Sequence, residues 1–237
     1  MGDVAESVRG LGALGVMGTQ ALLSAGPAAS HVGAHWATGP DLGVLAEVFD
    51  EAITIAIMQR QLDSAMRASI AAQCAAQPWE LAWRGVPDTA LEQALTRSMP
   101  APQQAAELIA DVRLLAEAVA CLFDVEALGI RMRLLDGAMC PRFHCDNLPV
   151  RLVTTYSGPG SEWLPEQALE RAGLGKPEPG KPEVVRDAGA IRQLAEGDVC
   201  FLKGSGWVGN EDRGIVHRSP AVVAGQKRLM LTIDPQF

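Results

Sequence analysis

The feature that most constrains this chain is a change of pattern after Leu128. From there to residue 237, short apolar or alternating segments are separated by Gly, Pro, Asp and Asn, as in strands that bury one face. Six such segments fall within about 110 residues, at 129–135, 150–156, 182–185, 198–202, 214–216 and 227–233. So many short strands in so short a span predict a jelly-roll or cupin-like barrel over residues 128–237.

The preceding region, 39–127, is predicted to be mainly helical. After Pro102, apolar residues recur at spacings of three and four, which predicts a helix with one buried face. Another helix is predicted from about Thr89, and 42–74 predicts a helix, a short strand near 53–58 and a second helix. Residues 79–87 are interpreted as a connector.

Residues 1–38 are rich in Gly, Ala and Ser with little periodicity, so we interpret them as a weakly ordered arm. His31 and His35 have a spacing that suits metal ligands on a helix, but Gly33 lies between them. We interpret both histidines as exposed polar residues. The fold class predicted for the whole chain is α+β, with an N-terminal helical layer packed on a C-terminal jelly-roll barrel.

Composition and charge argue against several classes of protein. A net charge of −8 with scattered Lys and Arg disfavours nucleic-acid binding, which needs clustered basic side chains. No stretch reaches the roughly 18 consecutive apolar residues of a membrane span. Asp3 and Glu6 spoil the basic region of a signal peptide, so we expect a cytoplasmic protein. The five cysteines include no CxxC pair, so we expect reduced thiols.

Residues suited to metal binding lie inside the β-rich region. His144 and Asp146 form a His-x-Asp pair, and His217 follows about 70 residues later. Side chains alternate along a strand, so His144 and Asp146 point the same way. A second imidazole from a neighbouring strand would complete two histidines and one carboxylate on one side of a metal. This facial arrangement leaves coordination positions open on iron(II).

An arginine follows the second histidine at a useful distance. A turn predicted at 219–225 places Arg228 on the next antiparallel strand, near the metal. On that strand Arg228, Met230 and Thr232 share one face, which we predict to point inward. Open metal positions suit the keto and carboxylate oxygens of a 2-oxo acid, and a guanidinium fork suits its distal carboxylate.

These segments resemble the double-stranded β-helix core of the iron(II)/2-oxoglutarate-dependent dioxygenase superfamily. The resemblance covers roughly the last 105 residues, through 133–146, 150–163 with its Tyr-Ser-Gly-Pro-Gly turn, 197–201, 216–220 and 228–232. It implies that iron(II) is bound by His144, Asp146 and His217. It also implies that Arg228 anchors 2-oxoglutarate.

The resemblance further implies that Thr154 or Tyr156 donates a hydroxyl to the cosubstrate carboxylate. More closely, the chain resembles a bacterial family, the domain of unknown function 1826 family, whose genes tend to lie among zinc-responsive genes. That family brings no established activity. The superfamily resemblance implies a hydroxylase or demethylase that acts on a small molecule or a protein side chain.

Two alternatives stay open from the sequence. One is a non-oxidative zinc-binding protein of metal homeostasis, with Cys140, His144 and Cys145, with or without Asp146, as donors suited to Zn(II). The genomic association favours it, whereas strand alternation opposes it because Cys145 would face away from His144. The other is a non-catalytic cupin-like binding module, since fold alone does not determine function.

Overall fold

A computed structural model describes residues 35–237, which contain ten strands and three α-helices. The strands are β1 (Trp36–Gly39), β2 (Ile55–Met58), β3 (Trp79–Gly85), β4 (Leu128–Leu135), β5 (Val150–Ser157), β6 (Glu162–Trp163), β7 (Arg192–Gln193), β8 (Val199–Lys203), β9 (His217–Arg218) and β10 (Arg228–Pro235). The helices are α1 (Ser64–Cys74), α2 (Thr89–Ser98) and α3 (Ala106–Phe123). A longer 3-10 helix covers Leu42–Phe49.

The strands form two sheets of unequal size. The large sheet has seven strands in the order β1-β2-β8-β5-β10-β4-β3, and the small sheet has the order β7-β6-β9. Pairing in the large sheet is antiparallel except between β1 and β2. An apolar core joins the sheets, where Trp163 of β6 packs with Val153, Cys200 and Met230 of the large sheet. The fold is therefore mixed α/β and built around a large sheet.

The other face of the large sheet is covered by the helices. Apolar residues of α3, including Leu108, Val112 and Leu115, pack in one core with Leu229 and Leu231 of β10. Each such side chain contributes roughly 1.5–3 kcal/mol when it is fully buried. The large sheet thus has an outer face under the helices and an inner face toward the small sheet.

Local sequence signals set the helix ends. The carboxylates of Asp63 and Asp88 each accept a backbone hydrogen bond of 2.8 Å in the first turn of α1 and α2. Helix α3 ends at Asp124, whose φ of 49° lies in the left-handed region. The helices predicted from Thr89 and after Pro102 are confirmed.

The N-terminal region differs from the prediction of a helical layer. Strand β2 confirms the short strand predicted near 53–58. However, β1, β2 and β3 all precede residue 128 and belong to the same large sheet as the later strands. Residues 79–87, interpreted as a connector, contain β3, which pairs along its length with β4. The alternation of Trp79, Leu81 and Trp83 was the signal for this strand. Its exposed intervening residues suit an edge position.

The interpretation of 1–38 as an arm is also corrected where the structure describes it. Residues 36–39 form β1, because pairing with β2 satisfies their backbone groups. His35 is half-buried: its Nδ1 lies 2.6 Å from Thr54 Oγ1, and its Nε2 accepts a hydrogen bond from the Glu166 backbone at 2.9 Å. It is therefore not an exposed arm residue, while His31 lies outside the described residues.

Two smaller differences concern the predicted strands after residue 128. Residues 182–185 make only a single bridge, between Val185 and Leu169. The strand predicted at 214–216 begins later, at His217. Among the described residues, no helix has the length and apolar character needed to cross a membrane.

Candidate metal centre

His144, Asp146 and His217 come together at one edge of the small sheet. His144 and His217 form an antiparallel bridge, with reciprocal backbone hydrogen bonds of 3.0 and 2.9 Å. The Nε2 atom of His144 lies 3.5 Å from Asp146 Oδ1, and that of His217 lies 3.9 Å from Asp146 Oδ2. One potential ligand atom from each residue lies within 4.8 Å of the others. The structure therefore brings together the three residues predicted from the sequence.

Backbone carbonyls orient both imidazole rings. The Nδ1 atom of His144 lies 2.9 Å from the carbonyl oxygen of Arg142, and that of His217 lies 3.3 Å from the carbonyl oxygen of Ile215. A ring nitrogen that faces a carbonyl oxygen carries the proton and donates it, which leaves the other nitrogen with a lone pair. Both Nε2 lone pairs are thereby directed toward Asp146, as in histidines that bind metals.

The local electrostatics favour the metal-binding forms of Asp146 and His217. Burial alone would raise the pKa of the Asp146 carboxyl, but contact with His144 and attraction to His217 and Arg151 hold it well below its usual range. Burial lowers the pKa of His217 to about 4, so its imidazole is neutral at pH 7. Contact with Asp146 raises the pKa of His144. At pH 7 the cluster thus offers a metal one ionised carboxylate and one neutral imidazole.

Arg151 of β5 is a member of the site that the sequence analysis missed. Its Nη1 donates to Asp146 Oδ2 at 2.8 Å, while its Nε and Nη2 donate to the two carboxylate oxygens of Asp234 at 2.7 and 2.8 Å. One guanidinium therefore bridges Asp146 and the end of β10. Alternation with Val153 and Thr155 on β5 could have placed Arg151 on the inner face, but not identified its partners.

The inner face of β10 has the predicted orientation. Met230 lies in the core between the sheets, whereas Leu229, Leu231 and Ile233 lie in the core under the helices. Arg228 shares the face of Met230 because alternate residues of a strand point the same way. The predicted inward direction of Arg228 is confirmed.

Arg228 is a buried cation without a carboxylate partner among the described residues. Only 1% of its surface is exposed, and no acidic oxygen lies within ion-pair distance. Its guanidinium instead contacts Ser161 Oγ at 2.8 Å, Thr155 Oγ1 at 3.1 Å, and Ser219 Oγ and Met230 Sδ, both at 3.4 Å. Its Nε has no hydrogen-bond partner. Burial lowers its pKa to about 10, so it is still charged at pH 7.

The hydroxyls predicted near the cosubstrate lie on the wrong face of β5. Thr154 is paired with Leu231, whose side chain lies under the helices. The Tyr156 hydroxyl donates to Asp111 Oδ2 of α3 at 2.6 Å, on the same outer side. Thr155, between them, contacts Arg228. Because Thr154 and Thr155 are adjacent, the sequence does not show which of them lies on the inner face of β5. The shift in the pairing of β5 with β10, between Leu229 and Met230, makes this assignment harder still.

The cysteines proposed for a thiolate zinc site do not join the cluster. Cys145 Sγ contacts its neighbour's carbonyl oxygen, at 3.5 Å from Asp146 O, and packs against Gly214. Cys140 is exposed. Within residues 35–237, the potential metal-binding group consists of the two histidines and Asp146.

The model of the family described as "Protein of unknown function (DUF1826)" matches residues 39–234. No protein with a curated description matches the sequence.

Similar solved structures include a dioxygenase, a hydroxylase and a carbocyclase. A rice dioxygenase for auxin oxidation is 14% identical, with a TM-score of 0.49, over 83% of this chain and 79% of that one. A Pseudomonas putida prolyl-4-hydroxylase is 14% identical, with a TM-score of 0.41, over 81% and 96%. The non-heme alpha-ketoglutarate-dependent carbocyclase SnoK of nogalamycin biosynthesis is 13% identical, with a TM-score of 0.41, over 80% and 81%.

The family match spans most of the described residues, including the two histidines, Asp146 and Arg228. It confirms the family predicted from the sequence. The chain belongs to the DUF1826 family of proteins of unknown function.

Proposed function

We propose that this protein is an iron(II)- and 2-oxoglutarate-dependent oxygenase of the hydroxylase or demethylase type. One observation carries the proposal: a cluster of two histidines and a carboxylate lies beside an inner sheet face on which Arg228 is buried without an anionic partner. The cluster of two histidines and a carboxylate suits a metal with open coordination positions. The buried Arg228 suits a ligand that carries a carboxylate.

The donor set fits iron(II). Two imidazole nitrogens and one carboxylate oxygen lie within 4.8 Å of one another, and Arg151 donates a hydrogen bond to the carboxylate. Three protein ligands leave positions for a chelating cosubstrate and for oxygen. Thiolates, which would favour a closed zinc site, are absent from the described cluster.

The surroundings of Arg228 fit a dicarboxylate. A buried, unpaired guanidinium is costly, and a ligand carboxylate with paired acceptor oxygens would remove that cost. On β5, Arg151 contacts Asp146 and Thr155 contacts Arg228, so the metal cluster and the buried guanidinium border the same strand. This arrangement supports a ligand that is held at both ends, one at the metal and one at Arg228.

The strand order supports the double-stranded β-helix predicted from the sequence. After residue 128 the chain alternates between the two sheets: β4 in the large sheet, the bridge at His144, β5 in the large sheet, β6 and β7 in the small one, then β8, β9 and β10 in turn. This alternation sandwiches the inner core between the sheets.

The chain's own residues would bind and orient the reactants. Iron(II) with 2-oxoglutarate, when bound, supplies the oxidising chemistry that protein side chains lack. His144, His217 and Asp146 would hold the metal, and Arg228 would hold the distal carboxylate with help from the Thr155 and Ser161 hydroxyls. The apolar core between the sheets keeps water away from this inner face.

The proposed substrate is a small molecule or a protein side chain, and the proposed location is the cytoplasm. All five cysteines are free thiols, which suits a reducing compartment. The acidic net charge disfavours nucleic acid as the substrate.

The test uses protein purified anaerobically and reconstituted with iron(II). Elemental analysis should find about one iron per chain, calorimetry should detect 2-oxoglutarate binding, and addition of oxygen should release succinate without another substrate. His217→Ala should lose the metal, while the matched variant Cys145→Ala should keep it. Retention of zinc alone, with no 2-oxoglutarate binding at millimolar concentration, would overturn the proposal in favour of a zinc-binding protein.

A further inference from the structure

We infer that a cavity bounded by β3, β4 and β10 binds the anionic group, a carboxylate or a phosphate, of a small-molecule substrate. The inference rests on the proposed function and assigns a substrate class to it. The cavity has a volume of about 380 Å³ and is lined by Ala82, Trp83, Arg84, Gly129, Ile130, Arg131, Asp234 and Gln236. None of these residues belongs to the metal cluster or contacts Arg228.

Two exposed arginines line the cavity, Arg84 and Arg131, and neither has an ion pair or hydrogen bond among the described residues. Ala82 of β3 faces Arg131 of β4, and Arg84 faces Gly129, so the two arginines are diagonal neighbours on one face of the sheet. Like charges at such positions repel each other. By contrast, Arg133, two residues along β4, is paired with Glu80 at 3.1 Å. Arg84 and Arg131 therefore present charge that the protein does not neutralise.

The only carboxylate that lines the cavity is already engaged. Asp234 lies opposite Gly129 in the pairing of β10 with β4, next to the two arginines. Both of its oxygens accept hydrogen bonds from Arg151. Asp234 is thus held by Arg151, and the positive charges of Arg84 and Arg131 are left to attract an anion on a protein of net charge −8.

The same ion pairs connect the cavity with the candidate metal centre. Arg151 bridges Asp234, in the wall of the cavity, and Asp146, in the metal cluster. Asp234 and Arg228 occupy opposite ends of β10, six residues apart. A substrate in the cavity would therefore approach the metal from the end away from the proposed 2-oxoglutarate anchor, without competing for Arg228.

The size of the cavity favours a metabolite over a macromolecule. Small-molecule sites typically have volumes of roughly 300–1,000 Å³. Gly129 helps to form this space: a Cβ atom there would lie 3.2 Å from Gln236 Nε2. Guanidinium groups bind carboxylates and phosphates alike, so the shared chemistry is that of an oxyanion with several acceptor atoms.

The experiment measures anion binding to protein loaded anaerobically with iron(II) and 2-oxoglutarate, so that Arg228 is occupied. Inorganic phosphate and benzoate are titrated separately, with ligand-observed NMR as the readout. Arg84→Gln and Arg131→Gln should each weaken the binding of the preferred anion, and the double variant should weaken it by about tenfold or more. Arg97→Gln, which removes an exposed arginine of α2, is the matched control and should bind like the wild type.

The two probes separate the possible sources of the anion. Tighter binding of phosphate indicates a phosphorylated metabolite, and tighter binding of benzoate indicates a carboxylic acid; either supports the inference if both arginines are required. Equal binding by the wild type and the double variant overturns it, as does binding that is abolished only by Arg228→Gln. Binding of 2-oxoglutarate is measured separately on the wild type, so failure of the proposed function is recognised independently.

Discussion

Replacement of Arg228 by Met should separate ligand binding from stability. Burial lowers the pKa of Arg228 from its ordinary value to about 10, which corresponds to roughly 3 kcal/mol against the charged form. Met removes this charge and retains much of the apolar volume. The lost hydrogen bonds to Ser161 and Thr155 cost about 1 kcal/mol each. We therefore expect the free energy of unfolding of the ligand-free protein to stay equal or to rise by about 1 kcal/mol.

The same substitution should abolish most 2-oxoglutarate binding. Loss of a charged partner from a buried pair costs about 2–5 kcal/mol of binding free energy, or roughly 30- to 5,000-fold in Kd. Urea unfolding measures the stability, and calorimetry on the anaerobic iron(II) protein measures the binding. The substitution should thus leave the stability equal or higher while it weakens 2-oxoglutarate binding, as expected of a residue whose role is to bind a ligand.

Arg60→Met is the matched control. Arg60 is also largely buried, but its guanidinium is paired with Asp111 through two hydrogen bonds of 2.6 and 2.9 Å. Its removal leaves the Asp111 carboxylate without its charged partner and with only the Tyr156 hydroxyl as a donor, so this variant should lose about 3–5 kcal/mol of stability. An Arg228→Met protein that is destabilised as strongly as Arg60→Met, with 2-oxoglutarate affinity unchanged, would refute the reasoning.

Four further variants test the contacts around the site. Thr154→Val should leave stability unchanged or raise it by about 1 kcal/mol in urea unfolding, because Thr154 Oγ1 is buried without a partner, whereas Thr155→Val should weaken 2-oxoglutarate binding in calorimetry. The reverse pattern would place the wrong threonine on the inner face. Gly214→Ala should lower the melting temperature, measured by calorimetric scanning, because its Cβ would lie 2.8 Å from Ser205 N and still closer to Cys145 Sγ; an unchanged melting temperature would show that this packing relaxes freely. Arg151→Gln should weaken metal binding by about 10- to 100-fold in a competition titration, since it removes the group that orients the carboxylate ligand; unchanged affinity would contradict that role.

Much of the candidate site could be predicted from sequence because its geometry is local. Alternation predicts that His144 and Asp146 share a direction, although the structure forms a single bridge at His144 rather than a strand. The same rule places Arg228 with Met230 on one face of β10. These relations depend on the period of two along a strand and require no knowledge of its neighbours. The helix after Pro102 was equally accessible, since its apolar stripe repeats over several turns.

Other features depend on contacts between distant segments. Strand β3 exists because its backbone pairs with β4, about 50 residues later, although only one of its seven residues is fully buried. Arg151 gains its role only when folding places Asp146 and Asp234 on either side of it. The cavity beside Arg84 and Arg131 likewise requires three strands to meet at one end of the sheet.

By itself the sequence determined the β-rich second half, the three residues of the candidate metal centre and the inward direction of Arg228. Only the tertiary structure decided that Thr155 rather than Thr154 or Tyr156 accompanies Arg228, and that Cys145 lies outside the metal cluster. The physical reason is register: a shift of one residue between paired strands reverses every side chain, and register is set by long-range hydrogen bonds and packing that no local pattern specifies.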